Sequence, residues 1–240
     1  MPSTKLRILE SMPEVTSSSK TPSFDYLERH QRDIDEYRTN VVASVESRYG
    51  SAWWGAWDQH VNLPKDGSII DLGMGSGYLL EQLRDRYPNA KLTGVELHPK
   101  LLEIGRPAAE RCNATVVEAD LGIPVPVADA SADVVVSALT LHELPYPPAL
   151  IANASRLLQP GGILVLFDIV KWPLSTYLGS KGPNPKPVAP DTIDHFREHC
   201  LFTADDLAFL AMDAGLSVLE VVGRSNGKFA MVFATKAKDS

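Results

Sequence analysis

The chain has 240 residues, 44% of them hydrophobic, enough for one globular core, and no apolar run approaches the ~18 residues of a membrane span. A formal charge of -7 with no visible lysine or arginine cluster argues against a nucleic-acid partner. Two isolated cysteines, Cys112 and Cys200, form no disulfide framework, so a reducing cytoplasm is the expected compartment; they are also too few thiolates for arsenic chemistry. Met1 to Pro22, rich in Ser, Thr and Pro, lacks the apolar centre of a signal peptide and reads as a disordered tail (1–22) before one domain spanning 23–240. Leu27, Ile34, Tyr37, Val41 and Val45 share one face of a helix predicted to end at Gly50. Trp53, Trp54 and Trp57 follow. They either wall an apolar pocket or seal this helical cap (23–63) against the rest of the fold.

Ser68-Ile69-Ile70 reads as a buried strand and runs into Asp71-Leu72-Gly73-Met74-Gly75-Ser76-Gly77-Tyr78. Leu79, Leu80, Leu83 and Tyr87 then mark a helix stopped by Pro88. A strand, a glycine-rich turn and a helix bring backbone close to a ligand. A dinucleotide loop would need its third glycine at position 78, which is Tyr78, and the Gly-Lys-Ser/Thr of a phosphate loop is absent. Lys91–Glu96 reads as a second strand ending in an acid, and a third, about Ala114 to Glu118, ends at Ala119-Asp120-Leu121. A fourth, Ala132–Ser137, leads into Ala138-Leu139-Thr140-Leu141-His142-Glu143-Leu144-Pro145. Arg156-Leu157-Leu158-Gln159-Pro160-Gly161-Gly162 precedes a fifth, Ile163–Phe167. Thr203 with Asp206 approximates a capping box for a helix ended by Gly215, and strands Leu216–Val222 and Phe229–Thr235 close the chain, loosely joined through Asn226-Gly227. Alternating strands and helices make the class α/β.

From about residue 50 to 170 these motifs, in this order, resemble the class I S-adenosylmethionine-dependent methyltransferases. The resemblance implies a doubly wound, Rossmann-like seven-stranded sheet of order 3-2-1-4-5-7-6 with the last strand antiparallel. It implies that the loop backbone at Gly73, Met74, Gly75 and Gly77 lies along the methionine part of the cofactor, with Asp71 serving its amino group. Glu96 would accept both ribose hydroxyls, Leu97 and His98 would pack on the adenine, Asp120 would accept the adenine amino group beside the Leu121 amide, and Ala138 would stand near the sulfonium. The Leu-x-Pro-Gly-Gly turn before strand five is a frequent mark of the family. The implied activity is methyl transfer to a small-molecule acceptor, with no nucleic acid or membrane partner. Neither Asn-Pro-Pro-Tyr nor Pro-Cys, the marks of many DNA methyltransferases, is present.

His142 is the candidate catalytic base, because imidazole titrates near ~6.5 and the resemblance turns its loop toward the methyl group. Glu143 would orient it or contact a cationic acceptor; alternatively the pair simply shapes the loop, with His142 bonded to backbone. Asp168, just past strand five, is a lesser candidate. Residues 171–200, rich in proline, form an insertion expected to act as a lid and to set substrate choice. Tyr177 and Lys181 repeat a dehydrogenase spacing, but Gly179, Gly182 and Pro183 oppose the helix it needs. His195 and His199 read as solvated helix residues, and no metal site is expected. Two alternatives stay open: another chemistry on the same cofactor (aminocarboxypropyl transfer, cyclisation or decarboxylation), or a non-catalytic partner subunit. The acceptor atom is unresolved, as is the choice between monomer and homodimer.

Overall fold

The computed structural model describes residues 21–30, 35, 39, 43, 48–179 and 187–238. Most of the expected tail, and Ile34, Tyr37, Val41 and Val45 of the expected N-terminal helix, lie outside these. Two helices precede the sheet: α1 (Pro22–His30), with Ser23 and Leu27 buried, and α2 (Ser51–His60), burying Trp53, Ala56 and Trp57 at helical spacing. The alternation that follows is β1 (Ser68–Leu72), α3 (Tyr78–Arg86), β2 (Lys91–Glu96), α4 (Pro99–Arg111), β3 (Thr115–Glu118) and β4 (Ala132–Ala138). A single 3-10 turn, Leu141–Glu143, then leads to α5 (Pro148–Leu157) and β5 (Leu158–Ile169). Next come α6 (Leu174–Tyr177), α7 (Pro190–His199), α8 (Ala204–Asp213), β6 (Leu216–Arg224) and β7 (Phe229–Lys236).

The sheet order is β3-β2-β1-β4-β5-β7-β6, with β7 antiparallel to both neighbours, as expected. Strands β1 and β4, central and covered on both faces, carry the consecutive apolar residues Ile69-Ile70 and Val134-Val135-Val136 because neither face meets water. β5 is longer than the expected Ile163–Phe167. Its ladder starts at Leu158 opposite Ala132 and resumes at Ile163 opposite Val134, so the Pro-Gly-Gly turn is a bulge within the strand. The 171–200 insertion is less irregular than its prolines suggest, since α6 and α7 lie within it. No helix among the described residues is long and apolar enough to cross a membrane.

The aromatic cluster seals the fold. Trp53 and Trp57 are 0% exposed and belong to a core that includes Ile69, Val136, Met231 and Phe233. Helix α8 opens on the expected capping box: the Thr203 hydroxyl accepts from the Asp206 amide at 3.1 Å, and the Asp206 carboxylate accepts from the Thr203 amide at 2.7 Å. Thr203→Ala is therefore expected to cost about 1 kcal/mol in a urea or thermal unfolding measurement. An unchanged midpoint would mean the box is satisfied by water instead.

Candidate active site

The carboxyl ends of β1, β2, β3 and β4 border a two-lobed crevice, where open α/β sheets take their ligands. Tyr49, Gly73, Gly75, Tyr78, Ala138 and Thr140, together with Arg48 and Met74, line a first lobe. A second lobe is lined by Ser23, Leu97, Asp120, Leu121 and Leu144. Leu27, Gly73, Glu96, Thr140 and Glu143 belong to both, so the lobes meet at Glu96, with α1 flanking them.

The glycine turn is shaped by what crowds it. Gly73, at φ +86°, has Thr140 so close that an added Cβ would fall 2.2 Å from its hydroxyl. Behind the turn, a Cβ on Gly105 of α4 would fall 2.5 Å from the Gly75 carbonyl. That helix glycine is a positioning residue the motif reading missed, because its partner is 30 residues away. Met74 turns its side chain into the core, and Gly77 starts α3 against Ala108 rather than lining the crevice. Leu139, at φ +57°, is a strained residue at the end of β4, where such strain clusters around working sites.

Glu96 fastens the turn to the end of β2. Its carboxylate accepts from the amides of Gly75 (3.0 Å), Leu97 (2.8 Å) and His98 (2.9 Å). Burial raises its pKa and those three donors draw it back down. Asp71 is buried on β1 below the turn, and burial, with the Glu96 charge adding to it, pushes its carboxyl up to about 7. Asp120 combines two roles: it lines the second lobe and accepts from the Gly122 amide at 2.7 Å, an ordinary Asx turn. His98 caps α4 through the Lys100 amide, stacks on Phe24 of α1 (4.9 Å between centroids) and is in the lining of neither lobe.

His142 sits among carboxylates. Its Nδ1 lies 2.6 Å from an Asp168 carboxylate oxygen and its Nε2 3.2 Å from Glu143. Burial works against a charged ring, but the two carboxylates outweigh it and hold the imidazole pKa up to about 10. Asp168 is within β5, fully buried, and turned onto His142 rather than toward the crevice mouth. His199 is buried as well, with Nε2 3.6 Å from Glu143, so it is not a solvated helix residue. Nothing in the sequence signals that 56-residue approach. The wall residues Arg48 and Tyr49 were likewise missed, since neither belongs to a motif.

Residues 70–166 match the family described as "Methyltransferase domain". The fold, the two-lobed crevice and this match converge. Residues 70–166 form a class I methyltransferase domain. The malonyl-[acyl-carrier protein] O-methyltransferase of Hahella chejuensis is 36% identical over 113 residues, 46% of this chain and 40% of that protein. The arsenite methyltransferase of Halobacterium salinarum is 26% identical over 160 residues, 64% of this chain and 38% of that protein. The chain thus spans about 40% of the length of these two relatives. A crystal structure of a SAM dependent methyltransferase from Aquifex aeolicus superposes with a TM-score of 0.58 at 19% identity, covering 75% of this chain and 87% of that one. S-adenosylmethionine is the cofactor of such a methyltransferase domain. The first lobe of the crevice borders the glycine turn, and the second lies beyond the Glu96 carboxylate.

Proposed function

We propose that this chain transfers a methyl group from S-adenosylmethionine to a small-molecule acceptor by in-line displacement. The observation that carries the reading is the meeting of the two lobes at Glu96, an acid set where a ribose would join an adenine to a methionine arm. When bound, the cofactor supplies an electrophilic methyl carbon on a sulfonium. The backbone of Gly73 to Ser76 runs along the methionine arm and the Arg48 guanidinium suits its carboxylate. Asp71, buried on β1 below the turn and outside the lining, serves the arm's amino group from beneath. Leu97, Asp120 and Leu121 frame the adenine, while Ala138 and Thr140 border the reacting end. The chain's contribution is chiefly to hold the acceptor on the carbon–sulfur axis. Helix α7, within the 171–200 insertion, reaches the site through His199, which supports a part for that insertion in acceptor choice. Arsenite is disfavoured as acceptor, because Cys112 and Cys200 are both buried.

Titration calorimetry tests the cofactor half of this reading, and a gain of about fourteen mass units on the acceptor separates methyl transfer from other cofactor chemistries. Failure of both S-adenosylmethionine and S-adenosylhomocysteine to bind at sub-millimolar concentration would overturn it. Asp71 adds a sign to the experiment. Its free carboxyl is raised to about 7 by burial and by the Glu96 charge, and a cofactor ammonium beside it favours the ionised form. Binding below pH 7 must therefore release a proton, so affinity should fall by up to about tenfold per pH unit below 7 and level off above it. The unliganded chain runs the opposite way. A raised folded-state pKa gives stability that is complete below the unfolded value and is lost as pH rises through 7. Asp71→Asn should flatten the affinity profile; an affinity constant from pH 6 to 8 in the unmodified chain would remove Asp71 from the amino-group role.

A further inference from the structure

Three separate elements bring ionisable side chains together beside the crevice. The turn after β4 supplies His142 and Glu143, β5 supplies Asp168, and the last residue of α7 supplies His199. All four are buried. We propose that His142, Glu143 and His199 bind a divalent first-row transition-metal ion, with Asp168 orienting His142 from behind and the ion's open position turned to the crevice.

The geometry is that of a ligand set short of its ion. Glu143 Oε1 lies 3.2 Å from His142 Nε2 and 3.6 Å from His199 Nε2, and the three donor atoms are all within 4.8 Å of one another. An ion about 2.1 Å from each of three tetrahedral ligands separates them by about 3.4 Å. Two edges already match, and a small rotation of the His199 side chain closes the third. Metal-bound histidines commonly donate their second ring N–H to a carboxylate, which fixes the tautomer and raises the basicity of the ligating nitrogen. His142 Nδ1 has that partner at 2.6 Å in Asp168. Asp168 is itself held by the amides of Leu141 (2.8 Å) and Ile169 (2.7 Å), so the ring cannot swing away cheaply.

Two imidazoles and one carboxylate suit zinc and its neighbours, whereas magnesium and calcium favour all-oxygen shells. Three protein ligands leave a fourth position open, and Glu143 lines both lobes of the crevice. The acceptor class follows, and this part rests on the methyl-transfer reading: an acceptor bearing a titratable O–H or S–H. Coordination lowers the pKa of that group and its proton passes to solvent water. A lone pair on the same atom then forms the bond to the methyl carbon as the carbon–sulfur bond breaks, its electron pair staying on sulfur.

Metal binding is measured without any cofactor, so its outcome is independent of the methyl-transfer reading. The full chain is stripped with a chelator, desalted, and titrated with Co²⁺, followed by visible absorption, with Zn²⁺ as competitor. One ion per chain is expected. His199→Ala should weaken Co²⁺ binding about 100-fold or more, and Asp168→Asn about 10- to 100-fold. Circular-dichroism melting confirms that each variant folds; should His199→Ala fail to fold, Glu143→Gln, which keeps the shape and removes the charge, gives the same test. Absence of one-to-one binding of either ion at sub-millimolar concentration, or unchanged affinity in a folded ligand variant, overturns the site.

Discussion

Trp57→Ala is expected to destabilise the chain by about 3–5 kcal/mol while leaving the cofactor affinity of the folded fraction close to its original value. Trp57 is 0% exposed, stacks on Trp53 at 5.2 Å, and donates its indole N–H to the Tyr87 hydroxyl at 2.8 Å. An indole buries roughly 150–250 Å², which at about 25 cal/mol per Å² corresponds to about 4–6 kcal/mol of transfer free energy. Truncation leaves a cavity under α2 and deprives the tyrosine hydroxyl of its donor. For a chain of this length the melting temperature should fall by roughly 10 °C. Trp57→Phe, which keeps a ring but loses the hydrogen bond, should lose distinctly less. None of the three clustered tryptophans lines the crevice lobes, so the aromatic cluster acts on stability and not on the sulfonium. The opposite pattern, an unchanged melt with lost cofactor affinity, would return the cluster to the pocket wall.

The strands and the acids at their ends are legible in the sequence because each signal is local, whereas the sheet order comes only through the family resemblance. A strand ending in Glu96 needs only Lys91 to Glu96 to be recognised; its pairing with β1, Lys91 opposite Ser68, is a property of the fold. The Thr203–Asp206 capping box is likewise contained within four residues. What the sequence hides is long-range. His199 looks solvated by its own helix, whose neighbours Arg197 and Glu198 are polar, until the fold brings it to Glu143. His142 looks like a base by its loop position, but its protonation state belongs to Asp168, 26 residues on. Arg48 and Tyr49 reach the crevice from a segment with no motif. The stacking of His98 on Phe24 is likewise invisible in the sequence, since Phe24 belongs to α1, while its cap on the first turn of α4 is local.

Glu96→Ala should abolish measurable cofactor binding and lower stability by several kcal/mol. Three backbone donors, the amides of Gly75, Leu97 and His98, share this one carboxylate. A buried donor left without an acceptor costs about 1–3 kcal/mol, less wherever water enters. The Gly75 bond matters most for function, since it ties the glycine turn to β2 and so sets the width of the first lobe. A carboxylate has about four lone-pair sites, and three are occupied by amides, so a ribose offering both hydroxyls must displace the Gly75 donor or share its acceptor. Glu96→Gln separates the two losses. The amide oxygen still accepts from Leu97 and His98, restoring most of the stability, but its NH₂ meets the Gly75 N–H donor to donor. Affinity should remain at least about 100-fold below the original in calorimetry, given about 1.5–3 kcal/mol for each hydrogen bond to a charged group. A Glu96→Gln variant that binds S-adenosylhomocysteine as tightly as the original chain would show that the ribose is gripped by some other group.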